Sequence, residues 1–347
     1  MFKSCYSILL VILMTSNAIA QESNEQLTYS IAIHGGAGSS PDMFSDEANQ
    51  SRHDSMEQAL EIGQKILVND GTSLEAVEAV IRFLEDDPHF NAGKGAVFNA
   101  EGEHELDASI MDGSNLACGA IAGVRTIKNP ISLARLVMTE TPHVLLAGPG
   151  ADEFGELQQV ELVEPDYFDT PATKKRWNEF LQERDNGNGK GAARQLQLLD
   201  LDTGSYMGTV GCVALDSHGN LAAGTSTGGM TNKQFGRVGD SPIVAAGTWA
   251  SNETCAVSCT GIGEEFIRRA VAFDVAARIK YQGVTVEEAV REILTSELPA
   301  AAGGIIALDQ NGSISMQYST GGMARAAADS SGRFEVIWHE QPAASDN

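Results

Sequence analysis

With 347 residues, 42% of them hydrophobic, the chain can bury one large core or two smaller ones. It carries 47 acidic residues against 23 basic ones, a net charge of −24. That balance excludes the basic footprint that nucleic acid or an anionic membrane surface requires, and an anionic ligand has to be drawn in by local cations.

Residues 1–20 read as a secretory signal: Lys3 in the n-region, an apolar run from Tyr6 to Met14, and Ala18-Ile19-Ala20 as the cleavage signal before polar Gln21. The apolar run is too short to span a bilayer, and no cysteine follows Ala20 to carry a lipid. The expectation is an exported chain, periplasmic or secreted, without membrane contact once the signal is removed. Cys5 leaves with it. Cys118, Cys212, Cys255 and Cys259 read as buried small apolar residues, because Cys255 and Cys259 on one strand would lie about 13 Å apart, too far to bridge. No Cys/His spacing suggests zinc.

Leu27 to Ile33 alternates like a strand and meets the glycine run His34-Gly35-Gly36-Ala37-Gly38, read as a loop. Arg52 to Asn69 reads as a helix stopped by Asn69-Asp70-Gly71. A second helix opens with the capping box Thr72-Ser73-Leu74-Glu75 and carries Val77, Val80, Ile81 and Leu84 on one face. A loop follows to Lys94. Glu105 and Asp107 share one face of a strand, where a structural role is expected over acid–base work. Ala117 to Val124 reads as a buried strand, Pro130 opens a helix, and His143 to Ala147 reads as another strand.

From Glu164 the character changes: a polar helix from Pro171 to Asp185, then a linker-like stretch from Asn186 to Tyr206. It ends just before Gly208-Thr209. Thr209 to Leu215 and Leu221 to Ser226 read as strands around the turn Asp216 to Asn220. Glu264 to Lys280 reads as one long helix with Phe266, Ala270, Phe273 and Ala277 inward, and Thr285 to Thr295 as a shorter one. Gly304 to Leu308 and Ile314 to Tyr318 form a hairpin over Asp309 to Gly312, and Phe334 to His339 an edge strand.

Between Met207 and Glu264 lie four glycine- and threonine-rich clusters: Gly208-Thr209-Val210-Gly211, Thr225-Ser226-Thr227-Gly228-Gly229-Met230-Thr231-Asn232, Gly236-Arg237-Val238-Gly239-Asp240-Ser241-Pro242, and Ser258-Cys259-Thr260-Gly261-Ile262-Gly263-Glu264. Arg237 and Asp240, three apart in a glycine-bracketed turn, suit the carboxylate and ammonium of a zwitterion. A surface ion pair is the alternative reading of the same two residues.

These clusters, with His34 to Gly38, Phe90-Asn91-Ala92-Gly93, His104 to Ala108 and Met111-Asp112-Gly113, resemble the plant-type L-asparaginase/isoaspartyl peptidase family of N-terminal-nucleophile hydrolases. The likeness covers nearly all of the chain after the signal, apart from about residues 165–206. It implies an α/β fold, the four-layer αββα sandwich with two sheets between helix layers. Self-cleavage between Gly208 and Thr209 would give an α subunit, residues 21–208, and a β subunit, residues 209–347, of one intertwined domain.

By the same resemblance Thr209 is the nucleophile, Thr227 the threonine that holds it, Thr260 and Gly261 the oxyanion donors, and Asn91 a neighbour of the nucleophile. Arg237 and Asp240 grip the aspartyl head, with Gly261 and Gly263 assisting. No cofactor is implied for catalysis. A structural sodium ion is, held by backbone carbonyls of Leu84, Glu85, Asp87, Phe90, Ala92 and Lys94. Lys94 departs from the apolar residue common there. Relatives assemble as dimers of α/β heterodimers. The implied activity is hydrolysis of β-aspartyl dipeptides and L-asparagine. Two alternatives stay open: a glycosylasparaginase, and a periplasmic amino-acid-binding protein using Arg237 and Asp240 only to hold its ligand.

Overall fold

The computed structural model describes residues 28–38, 40–183 and 208–338; the signal segment, the linker from Asn186 to Tyr206 and His339 lie outside the described residues. Strand β1 (Ser30–Ala37) shows how the layers arise. Its residues are buried on both faces: Ile31 and Ile33 point to one core and Ala32 to another. Around it assembles an eight-stranded sheet from β2 (Leu106–Asp112), β3 (Cys118–Val124), β4 (Leu145–Ala147), β5 (Val210–Leu215), β6 (Leu221–Thr227), β11 (Met323–Asp329) and β12 (Phe334–Ile337), in the order β12-β11-β1-β5-β6-β2-β3-β4. A four-stranded sheet, β10-β9-β8-β7, combines β7 (Thr248–Ala250), β8 (Cys255–Gly261), β9 (Gly303–Asp309) and β10 (Ile314–Tyr318).

Helices α1 (Asp46–Val68), α2 (Ser73–Asp86) and α3 (Pro130–Glu140) cover the outer face of the large sheet. Helices α4 (Pro149–Leu157) and α5 (Pro171–Glu183) follow, α4 against β3 and β4. Past α6 (Gly263–Arg269), helices α7 (Val271–Gln282) and α8 (Val286–Glu292) cover the small sheet. The three apolar clusters fill the three spaces between layers, and the result is the αββα sandwich. No helix among the described residues is long and apolar enough to cross a membrane.

Local chemistry sets the helix ends. Thr72 and Glu75 make the capping box at α2, and Thr285 and Glu288 repeat it at α8. α2 seats on the sheet because Gly224 of β6 has no side chain: a Cβ there would lie 2.8 Å from Ile81 and Val77. The hairpin turn between β9 and β10 is held by Asp309 Oδ1, which accepts from the amides of Asn311 and Ser313.

Four expectations need correction. The run His34 to Ala37 is strand, with a bulge between His34 and Gly36, because pairing to β11 supplies hydrogen bonds that its glycines do not advertise. α1 starts at Asp46 under the Ser45 cap, six residues before Arg52. The long helix from Glu264 breaks at Ala270, whose φ of 48° resets the helical phase. Phe266 is buried as expected, but Val271, Ala272, Val275 and Ala276 face the core while Phe273 is exposed. Finally, Cys118 is only half-buried, whereas Cys212, Cys255 and Cys259 are buried, all as free thiols.

Gly224→Val would force side chains into the α2 contact and should cost about 1–3 kcal/mol, whereas Thr72→Ala, losing one cap, should cost about 1 kcal/mol. Urea denaturation of both variants checks the ranking; a Gly224→Val protein as stable as the parent would contradict the packing described.

Candidate active site

The antiparallel register sets Val210 opposite Ser226, which brings Thr209 across from Thr227. Thr209 Oγ1 donates to Thr227 Oγ1 over 3.1 Å, and the Gly229 amide donates to the same Thr227 oxygen at 3.0 Å. Thr209, Thr227, Thr260, Arg237, Asp240 and Glu264 all line one cavity. On the sheet side Gly208 meets Gly36, backbone to backbone. A Cβ on Gly36, whose φ is +105°, would fall 2.1 Å from the Gly208 Cα. Glycine is needed on both sides of that contact.

Thr260, on β8, accepts from the Ala37 amide at 3.3 Å, which leaves its own hydroxyl hydrogen for the cavity. Gly261 has a φ of +150°, and a Cβ there would come 2.2 Å from the Ala302 carbonyl oxygen. Asn91 lines the same cavity. Its Nδ2 donates to the Gly229 carbonyl at 2.6 Å, and its Oδ1 accepts from Val97 N at 3.0 Å. It thereby holds the Gly228-Gly229 turn, and Nδ2 has a second hydrogen that neither bond uses. Gly228 packs so tightly that a Cβ would lie 2.6 Å from Asn91 Oδ1.

At the other end of the cavity Arg237 and Asp240 converge on Gly263, where a Cβ would sit 2.9 Å from Arg237 Nη2 and 3.0 Å from Asp240 Oδ1. Glu264 engages Arg237 through Nε and Nη2, each at 2.9 Å. That takes the side edge of the guanidinium and leaves its end edge, Nη1 with Nη2, for a carboxylate. Sequence reasoning quoted Glu264 in its motif without giving it this role; the signal was a carboxylate one residue after Gly263. Asp240 is buried, and its Oδ2 has no hydrogen-bond partner among the described residues. Burial pushes its carboxyl up to about 7, although Arg237 pulls the other way. A buried acid with an unpartnered oxygen beside an arginine suits an ammonium beside a carboxylate.

Glu105 and Asp107 do flank a structural charge, as expected. Lys233 is buried, donates to the Glu105 carbonyl at 2.8 Å and lies under the Gly229 turn. Burial lowers its ammonium and raises the Asp107 carboxyl. His34, read from sequence as a loop residue near the site, is fully buried on β1 with Nδ1 2.9 Å from the Thr209 carbonyl oxygen. Burial lowers its imidazole to about 3, outweighing that hydrogen bond, so the ring is neutral.

The proposed cation ligands lie where α2 ends and the Gly93–Gly95 turn begins. A Cβ at Gly93 would meet the Glu85 carbonyl oxygen at 2.2 Å, and one at Gly95 the Phe90 carbonyl oxygen at 2.1 Å. The Glu85 side chain turns away, accepting from Ser226 Oγ at 2.6 Å and Ile131 N at 2.9 Å, with its carboxyl raised by burial to about 8. The Asp87 carboxylate of the same loop is turned to His89, accepting from its amide at 2.8 Å, so the loop's candidate ligands are its backbone carbonyl oxygens. The Lys94 ammonium sits 5.0 Å from the Tyr167 ring centroid, so its side chain has a partner of its own.

The sequence has close relatives. An isoaspartyl peptidase of Salmonella typhimurium is 46% identical over 299 residues, covering 85% of this chain and 94% of that protein. An isoaspartyl peptidase of Escherichia coli is 45% identical over 303 residues, covering 85% and 91%. The isoaspartyl peptidase/L-asparaginase of Homo sapiens is 41% identical over 300 residues, covering 86% and 92%. A family model described as asparaginase matches residues 27–338, nearly everything after the signal-like segment. A match of that extent means that the chain belongs to the asparaginase 2 family.

Proposed function

We propose that this protein hydrolyses β-aspartyl dipeptides and L-asparagine, releasing L-aspartate, after cleaving itself between Gly208 and Thr209. The observation that carries the reading is a paired threonine hydroxyl, Thr209 on Thr227, in the same cavity as Arg237 and a buried Asp240 whose Oδ2 has no hydrogen-bond partner among the described residues. A threonine hydroxyl needs a base within reach. His34 is not that base, because it touches the Thr209 carbonyl rather than its hydroxyl. A new N-terminal amine on Thr209, with an ordinary pKa of about 7.7–8.0, serves instead.

Cleavage starts when the Thr209 hydroxyl attacks the Gly208 carbonyl; the acyl group shifts from nitrogen to oxygen, which frees the Thr209 amine, and water hydrolyses the ester to leave the Gly208 carboxylate and the Thr209 hydroxyl. The mature Thr209 oxygen then attacks the side-chain amide carbonyl of a substrate whose α-carboxylate lies on Arg237 and α-ammonium on Asp240. Thr260 Oγ–H and the Gly261 N–H meet the oxyanion, each donor worth about 2.7–4 kcal/mol. The amine leaves with the proton held by the Thr209 amine, and water hydrolyses the aspartyl ester. The Glu264 fork keeps Arg237 turned end-on to the carboxylate.

Export with removal of residues 1–20, assembly as a dimer of α/β heterodimers and a sodium ion on the carbonyl loop complete the proposal. The glycosylasparaginase reading is weakened by Gly228, which has no room for the side chain that follows the Thr-Ser-Thr run in those enzymes. A binding protein, the remaining alternative, would stay uncut.

The deciding assay compares β-aspartyl-leucine, L-asparagine, α-aspartyl-leucine and asparagine-linked N-acetylglucosamine. The first two should be hydrolysed, with kcat/KM favouring the dipeptide, and the α-linked peptide should not, since its scissile carbonyl is the group Arg237 must hold as a carboxylate. Thr209→Ala should remain a single inactive chain; an active uncut enzyme, or turnover of the glycosylated substrate alone, would reject the reading.

The pH profile isolates Asp240. Its carboxyl must be ionised to hold an ammonium, and that form is lost as pH falls through about 7. The Thr209 amine protonates in the same region, so the acid limb of log kcat/KM should have a slope of about two, falling to about one in Asp240→Asn at a much lower plateau. A limiting slope of one in the parent would detach Asp240 from the substrate.

Replacing sodium by choline at equal ionic strength should lower Tm by a few degrees, as expected when an ion bound only by the folded state is withdrawn. Gly95→Ala, which puts a methyl against the Phe90 carbonyl, should abolish the sodium dependence. An unchanged Tm in the parent would remove the ion from this loop.

A further inference from the structure

A line of hydrogen bonds runs between the two sheets, from beneath Thr209 to the loop that carries Asp240. His34 Nδ1 is 2.9 Å from the Thr209 carbonyl oxygen, and His34 Nε2 is 3.0 Å from Ser258 Oγ. Ser258 Oγ is 2.7 Å from Thr225 Oγ1, which accepts from Thr248 Oγ1 at 2.6 Å. Ser109 Oγ closes the line, 2.8 Å from Thr248 Oγ1 and 2.6 Å from the carbonyl of Ser241, the neighbour of Asp240. His34, Ser258, Thr225, Thr248 and Ser109 are all fully buried. Polar groups kept at that depth in an apolar layer cost stability unless satisfied, and here each is satisfied; Thr225 and Thr248 also have the Gly247 and Ser241 carbonyls at the longer distances of 3.3 and 3.5 Å.

The direction of the line follows from its first member. A carbonyl only accepts, so Nδ1 of the neutral His34 ring carries the hydrogen and Nε2 is bare. Ser258 must then donate to Nε2, Thr225 to Ser258, and Thr248 to Thr225. Ser109, with one hydrogen for Thr248 and the Ser241 carbonyl, ends it. Gly211 makes the junction possible: a Cβ there would lie 2.0 Å from Ser258 Oγ and 2.3 Å from His34 Nε2. The backbone at Gly211 needs no positive φ, so the missing side chain is what matters.

We propose that His34 is a positioning residue for the hydrolytic reaction: its Nδ1–H on the Thr209 carbonyl holds the backbone torsion that aims the Thr209 hydroxyl at Thr227, and the hydroxyl line ties that setting to the Asp240 loop. This rests on Thr209 as the nucleophile. Asparagine offers an N–H donor at the place of Nδ1, while leucine fills the volume and offers none. His34→Leu should therefore lower kcat, counted per matured active site, by about 10- to 100-fold with KM little changed, as small misplacements of a reacting group do. His34→Asn should recover to within about threefold of the parent. Ser258→Ala and Gly211→Ala, which disturb Nε2, should each lower kcat in the same way.

Nitrogen-15 NMR of the parent protein should report His34 as neutral, protonated on Nδ1 and bare on Nε2. An Nε2–H tautomer, an unchanged kcat in His34→Leu, or a loss confined to KM would overturn the proposal. Should His34→Leu or Gly211→Ala fail to fold, the parent spectrum and Ser258→Ala decide it. Hydrolysis surviving in Thr209→Ala would instead reject the nucleophile assignment on which the proposal rests.

Discussion

Antiparallel pairing of β5 with β6 is the constraint that the rest of the structure serves. One hydroxyl must sit against another at a strand end, and a slip of one residue would turn Thr209 to the opposite face of the sheet from Thr227. Register is therefore secured from all sides. β5 and β6 are buried on both faces, β1 and β2 pair along their outer edges, and Gly224 lets α2 press directly on the back of β6. The inter-sheet core holds the other face, with the polar line under Thr209 as its one specific element. Apolar burial supplies most of the stability, while the small residues supply the fit.

The site itself is a meeting of glycines. Gly36 against Gly208, Gly211 beneath Ser258, Gly228 against Asn91, and Gly263 between Arg237 and Asp240 are four places where a Cβ would strike a functional group or the main chain. Together they explain five glycines of the motifs by space, with Gly36 needing its positive φ as well. The charges are placed with similar economy. Glu264 takes the side edge of Arg237, and burial raises the Asp240 carboxyl to about 7 against the pull of Arg237. A molecule with a net charge of −24 thus presents an anionic substrate with a local cation.

Much of this was legible in the sequence because the elements that carry it are local. The capping box at Thr72, the proline at the start of α3 and the Asp309 hairpin turn announce themselves within a few residues. The clusters around Thr209, Thr227, Arg237 and Thr260 were readable as glycine-rich strand ends, and a family resemblance supplied their roles. What escaped depends on partners distant in sequence. β11 is alanine-rich, with little intrinsic strand preference, and is a strand because β1 and β12 flank it. The glycines of β1 read as loop for the same reason. The break at Ala270 was hidden because alanine favours helix, and nothing in its residue type announces a φ of 48°. The imidazole of His34 belongs with Ser258, 224 positions away, a separation that no periodicity reveals.

The strand order carries a consequence for any cut at Gly208. Strands β1 to β4 come from the chain before that bond and β5 to β12 from the chain after it. In the large sheet β1 lies between β11 and β5, and β6 is followed by β2, so the two pieces are interdigitated rather than side by side. Separating them would tear three ladders at once and open the two apolar clusters that draw on both pieces, while the cluster between the small sheet and its helices comes from the later piece alone. Scission is thus a covalent event with little mechanical effect: the halves stay joined through two shared interiors. Activation by this route is a ratchet, in which a chain end is created deep inside a finished fold and cannot drift away from the pocket it must serve.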